Sequence, residues 1–202
     1  MHATIVVAHP IHQSLTQEMA RRVSEAIIAS GAGHSAEIVD LMAEGFDPRF
    51  TVQDIAVLAE EAAPSQDVLA EQARLDRSDA LVLVYPVYWW SMPALLKGWI
   101  DRVFVNGWAY DYSPETGVVK KLGRLPIHLI AIGAADRGTY DRHGYAEAMK
   151  VQIDHGIFDY CGAPVLTSEL LLLPDADAPE ALLDKAEAIG RGVFAERLVE
   201  CA

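Results

Sequence analysis

The feature that most constrains this chain is the run ALVLVY at positions 80–85, six apolar residues with no alternation to mark one face as wet. A strand exposed on one face alternates apolar and polar residues, so a continuous run of this length belongs to a strand covered on both faces. The runs TIVVA at 4–8 and IHLIAI at 127–132 repeat the pattern, and 37–41 and 170–173 are two further strand candidates. Helical spacing separates them. Leu15, Met19, Val23 and Ala26 share one face after the first run, 68–77 precedes the run at 80, and Leu96, Trp99, Ile100 and Val103 share a face behind Pro93, a residue suited to a first helical turn. A helix is expected over 146–160 and a last one from Pro179. The Pro- and Gly-bearing stretch after 41 is assigned no regular element, and AADRGTYDRHGY at 134–145 reads as a loop.

Doubly covered strands alternating with helices require a parallel sheet wrapped on both sides. Five such units fit an α/β three-layer sandwich of flavodoxin-like type, a five-stranded parallel sheet in the order 2-1-3-4-5. No repeat or linker divides residues 1–202, so one domain is expected. In that topology ligands sit beyond the carboxyl ends of the strands, where the strand order reverses. The loops that follow residues 7, 85 and 132 are therefore expected to meet at one crevice.

Charge and cysteine usage exclude several classes of function. The formal net charge is −13 with 16 Lys and Arg and no basic run, which argues against a nucleic-acid partner or an anionic membrane surface. Residues 80–96 carry no charge, but Pro86 and Pro93 interrupt them, so no membrane insertion is expected. Two cysteines, Cys161 and Cys201, are too few for a disulfide framework and lack metal spacing. No metal site is expected, the N-terminus reads as a strand and not as a signal peptide, and the expected compartment is the cytoplasm.

Each of the three loops carries chemistry. In HPIHQSLTQEM, Ser14 and Thr16 stand where a helix starts, and first-turn amides there favour a phosphate; Ser14 with Gln17 is also the S-x-x-Q of a capping box, which needs no ligand. In the second loop Pro86, Val87, Tyr88, Trp89 and Trp90 follow one another, and all four tryptophans fall between 89 and 108. Such a segment supplies the wall that a flat heteroaromatic ring requires, whereas Trp99, on the apolar helix face, belongs to the core. In the third loop Gly133 and Ala134 permit close backbone approach, while Tyr140 and His143 are a phenol and an imidazole able to stabilise negative charge. His128 lies inside an apolar strand and reads as a hydrogen-bonded core residue; His9, at a strand end, lies toward the crevice.

With these loops in view, the chain resembles the NAD(P)H:quinone oxidoreductase (DT-diaphorase) family of flavoproteins, including its modulator-of-drug-activity and potassium-efflux ancillary members. The likeness is carried by HPIHQSLTQ at 9–17, YPVYWWSMPALLKGWIDRVFVNGWAY at 85–110, AIGAADRGTY at 131–140 and YCGAPVL at 160–166. It implies a flavin, FAD or alternatively FMN, with NAD(P)H as hydride donor and a small-molecule quinone or related planar acceptor. By the same likeness His9, Ser14, Leu15 and Thr16 hold the flavin phosphates, Pro86 to Trp90 run along the ring, Gly133 and Ala134 face its edge, and Tyr140 and His143 form the catalytic pair. The resemblance also implies a homodimer, to whose interface Trp108, Tyr110 and Tyr112 are candidate contributors; a lid folded back on the chain is the other reading of those three. Two further functions suit the same residues: a flavodoxin-type electron carrier, and a flavin-binding ancillary subunit of a membrane transporter.

Overall fold

The computed structural model describes residues 1–176 and 178–195, and Cys201 lies outside them. Its main sheet contains β1 (His2–Val7), β2 (Ser35–Asp40), β3 (Ala80–Pro86), β6 (Ile127–Gly133) and β7 (Val165–Leu172) in the order β2-β1-β3-β6-β7, all parallel. Counted along the chain, these five strands stand in the expected order 2-1-3-4-5. Around them lie α1 (Leu15–Ala29), α2 (Val52–Leu58), α3 (Gln66–Asp76), α4 (Ala94–Val103), α5 (Arg137–His143), α6 (Tyr145–Met149), which continues as a π-helical segment over Lys150–Asp159, and α7 (Pro179–Gly192).

The strand at 80–85 shows why the run is continuous. Leu81, Leu83 and Tyr85 enter one apolar cluster with Leu96, Trp99, Phe104 and Phe158, while Ala80, Val82 and Val84 enter a second with Met19, Val23, Leu182 and Ala186. Successive side chains point to opposite faces, and helices cover both. Trp99 is fully buried, and its indole Nε1 donates to Glu71 at 2.9 Å, which satisfies the one polar atom it brings inside.

Several local expectations are corrected. Residues 134–145 are not a loop: Asp136 caps α5 by accepting from the Thr139 amide at 2.7 Å, and Gly144 ends it in the left-handed conformation. The expected helix at 146–160 starts at Tyr145 and widens to π geometry from Lys150. The fifth strand starts at Val165, five residues before the apolar run, because an edge strand with half-exposed positions needs no continuous apolar stretch. The second strand ends at Asp40, one residue short of the expected Leu41. The unassigned stretch contains α2, whose start is a full capping box between Thr51 and Asp54. An antiparallel hairpin, β4 (Tyr110–Ser113) with β5 (Gly117–Lys120), was also unforeseen. It holds Tyr110 and Tyr112, while Trp108 just before it donates from Nε1 to Asp76 at 3.3 Å, a bond to its own chain.

His128 is the core residue its position implied, with Nδ1 2.9 Å from the Thr167 hydroxyl and 2% exposure. Burial holds its pKa down at about 4, against 6.5 for a free imidazole, with the Val193 backbone opposing. The unfolded chain therefore takes up the proton first, and stability present above about pH 6.5 is lost as pH falls toward the folded value. The loss between about pH 7.5 and about pH 5 is expected to be about 2 kcal/mol. Urea midpoints at the two pH values measure it. His128→Gln should flatten the dependence, and an unchanged slope in that variant would assign the acid sensitivity to other groups.

Candidate active site

Strand register brings the second and third loops together. Pro86 pairs with Ile132, and the Val87 amide donates to the Ile132 carbonyl at 2.8 Å, so the two loops leave the sheet side by side. On the other flank Val7 pairs with Val84, which places the first loop next to the second. The anticipated convergence at the carboxyl ends of β1, β3 and β6 is what the sheet order produces.

The second loop folds into a tight turn. Tyr88 and Ser91 exchange backbone hydrogen bonds at 3.0 and 3.1 Å, leaving Trp89 and Trp90 as a two-residue loop with φ of 50° and 59°. Positive φ at both central positions is the I′ pattern, normally filled by Asn-Gly. Two indoles there cost about 1–2 kcal/mol each through Cβ crowding, and strain of this kind collects at functional sites. The outcome is a particular display. Trp89 is 93% exposed. Trp90 is half-buried, stacked on Tyr145 at 3.8 Å and 12° between planes and edge-on to Tyr140 at 5.2 Å and 88°.

In the third loop Gly133 is buried, and a Cβ there would lie 2.6 Å from the Tyr140 hydroxyl and 2.6 Å from Leu172 Cδ2. The absent side chain is what lets Tyr140 lie flat over the sheet end. Tyr140 is 1% exposed, and burial raises its pKa, with Arg137 opposing, so the phenol stays protonated. Together Val87, Trp89, Trp90, Ala134, Ala135 and Tyr140 line a mainly apolar cleft of about 320 Å3, whose polar side-chain groups are the phenol and the two indole N–H groups.

Placement of the remaining candidates is mixed. Pro86 is half-buried at the strand end and Tyr88 is exposed, and neither lines the cleft. His143 is exposed and stacks on Tyr145 at 5.1 Å; it reaches Tyr140 only through that shared neighbour. His9 accepts from the Ile11 amide at Nδ1 at 3.0 Å, shaping its own loop. Ser14 caps α1 by accepting from the Gln17 amide at 3.3 Å, but the Gln17 side chain donates to Asp40 at 2.7 Å, so the reciprocal half of the capping box is not made. Leu15 is half-buried and Thr16 is 3% exposed. What these two offer an anion is their amides, in the first turn where helix amides have no intrahelical partner. Sequence reasoning missed Tyr145 and Ala135. Tyr145 had a usable signal, since it follows Gly144, whose left-handed cap turns the chain back toward Trp90. Among the described residues no group of three His, Cys, Asp or Glu is placed to hold a metal, and no helix is long and apolar enough to cross a membrane.

The arrangement fits a flavin: an apolar slot with aromatic walls, a glycine beneath it that lets Tyr140 seat against the sheet end, and a helix N-terminus one strand away. Comparison with known proteins shows likeness in both sequence and fold. A family profile described as flavodoxin-like fold matches residues 1–191. The chain is 30% identical to NAD(P)H dehydrogenase (quinone) 1 of Rattus norvegicus, over 92% of this chain and 73% of that protein. It is 27% identical to an NAD(P)H oxidoreductase of Haemophilus influenzae, over 92% of each. Among solved structures, the NAD(P)H:quinone oxidoreductase from Methanothermobacter marburgensis superposes with a TM-score of 0.84 at 29% identity, covering 95% of this chain and 98% of that one.

Proposed function

The chain belongs to the flavodoxin-like quinone oxidoreductase family, and from that premise we propose that it is a flavin-dependent NAD(P)H:quinone oxidoreductase whose reacting groups meet in the cleft at Trp89 and Trp90. The observation that carries this reading is the strained Trp89–Trp90 turn at the end of β3, beside Gly133 and Tyr140. A bound flavin would supply two-electron hydride chemistry between reduced nicotinamide and a planar acceptor.

The protein positions, dries and polarises. Trp90, fixed by Tyr145, forms one wall and excludes water from the cleft. Tyr140, protonated and buried, is a hydrogen-bond donor at the side of Gly133, suited to negative charge that develops there. The proposed role of His143 is to stabilise that charge from the outer end of the aromatic stack. The amides of Leu15 and Thr16, with His9 and Ser14, are proposed to hold the cofactor phosphates, the α1 dipole supplying the positive field that a chain of net charge −13 lacks in bulk. We favour FAD over FMN on the His9-x4-Ser14 spacing of the first loop.

A homodimer is supported by exposed apolar residues: Phe50 at 43% lines a groove with Leu58, Ile100 and Phe104, and Val52 at 82% and Ile55 at 58% are exposed on α2. Assignment to the cytoplasm is supported by Cys161, a buried cysteine that forms no disulfide among the described residues.

One preparation tests the proposal. The purified chain should carry flavin absorbance, released as FAD, bleached anaerobically by NADH or NADPH and restored by a quinone; steady-state kinetics should be ping-pong and sedimentation should give a dimer. A colourless chain that takes up neither FAD nor FMN would overturn it.

A further inference from the structure

A second cavity, of about 340 Å3, lies on the same face of the sheet as the cleft. Helix α5 divides them, with Tyr140 lining the cleft and Arg137 and Asp141 lining the cavity. Leu129 and Ala131 of β6 form its apolar floor, and the π-helical segment covers it with Ile153 and Asp154. The widened helix leaves this space open next to the sheet.

Tyr85 also lines this cavity. It is 1% exposed, and its hydroxyl makes no hydrogen bond to any described residue. A hydroxyl that opens on a cavity and bonds to no neighbouring residue is free to accept from a ligand placed there. Burial, and secondarily the Asp154 carboxyl, push the Tyr85 pKa upward, so the phenol stays neutral. Asp154 is half-buried; burial raises its pKa while the Ser168 hydroxyl and Lys150 oppose. Around the wall, Asp141, Glu147, Asp154 and Glu169 outnumber Arg137 and Lys150, so the cavity disfavours an anion. No trio of metal-ligating groups stands here among the described residues, and the net negative wall suits an organic cation.

We propose that this cavity binds a small organic cation, an ammonium group on a compact apolar body, whose N–H groups donate to the Asp154 carboxylate and the Tyr85 hydroxyl oxygen while its body rests on Leu129 and Ala131. The site is separate from the flavin cleft, and the proposal does not depend on the redox reading.

Calorimetric titration of the full chain with 2-phenylethylammonium chloride tests it, with phenylacetate and 2-phenylethanol as controls of the same shape. The ammonium should bind at least about tenfold more tightly than either control, and Asp154→Asn should weaken it by about tenfold. Tyr85→Phe, which removes one oxygen from a strand residue and keeps the ring in the core, should weaken it severalfold and decides the matter if the Asp154 variant does not fold. Equal binding of phenylacetate, unchanged affinity in both variants, or no heat with millimolar ammonium would overturn the site.

Discussion

Arg102→Met is expected to cost about 3–5 kcal/mol of folding stability, the largest effect of any substitution considered, although Arg102 is far from the cleft. Arg102 is 7% exposed and ties α4 to the segment before α2 and to the start of α3. Its Nε donates to Asp54 at 3.1 Å, Nη1 to Asp67 at 2.7 Å and to the Asp47 carbonyl at 2.7 Å, and Nη2 to the Ser65 hydroxyl at 2.9 Å, while the guanidinium lies 5.2 Å from the centre of the Phe46 ring. One helical turn earlier, Gly98 lets this segment lie against α4, since a Cβ there would come within 2.3 Å of the Pro48 carbonyl oxygen.

Methionine keeps much of the volume and removes the charge, which leaves Asp54, 4% exposed, as a buried carboxylate without its cation. In the intact protein burial raises the Asp54 pKa, but hydrogen bonds from Thr51 and then from Arg102 outweigh it and hold the carboxyl below its ordinary value. That contribution is present above the unfolded carboxyl pKa and is lost as pH falls through the lower folded one. Without Arg102, burial is opposed only by the Thr51 hydrogen bonds, so the carboxyl is held down less strongly. The deficit of the variant in urea unfolding should be largest near neutral pH and shrink on acidification as Asp54 takes up a proton. Arg102→Met combined with Asp54→Asn should recover part of the loss, because an unpaired buried charge costs more than a removed pair. Equal instability of the single and double variants would show that packing, not the stranded charge, sets the cost.

The second large effect falls on cofactor binding. Trp90→Ala should weaken flavin affinity by roughly 2–3 kcal/mol, about a hundredfold, since stacking of a flat heteroaromatic on an aromatic side chain is worth that order by alanine substitution. The wall is lost together with its support, because Trp90 joins Tyr145 to Tyr140. Trp90→Phe should restore most of the affinity. Trp90→Gly separates the wall from the strain: it should bind flavin as poorly as the alanine variant yet melt higher, since glycine adopts a φ of 59° without Cβ crowding. Fluorescence titration with FAD and a thermal melt read both quantities. Unchanged flavin affinity in the alanine variant would move the ring elsewhere and end the role assigned to this turn.

The reach of sequence reading differs between these two sites. For the cleft, the local pattern was legible: an apolar run, then PVYWW, then a helix starting after a proline. The handedness of parallel crossovers did the rest, because it leaves few orders in which five doubly buried strands can lie side by side. Helix α5 was not legible, since Gly138 and a polar composition hide it and its stability comes from the Asp136 cap and from Tyr140 packed over Gly133. Neither was the hairpin at 110–120, or α2 with its capping box, because short elements leave little periodicity to read.

By itself, then, the sequence determined the five strands of the main sheet and the longer helices, that the sheet is parallel and covered on both faces, and that three loops end on one rim. These follow from local spacing and from the demand that apolar surface be buried on every face that carries it. Only the tertiary structure decided that two tryptophans occupy a positive-φ turn, that Tyr145 supports Trp90, that the Tyr85 hydroxyl opens on a second cavity, and that Arg102 holds Asp54 across 48 residues. The physical reason is the same in each case. These energies belong to pairs distant along the chain, and they exist only once the sheet has fixed which loop lies beside which.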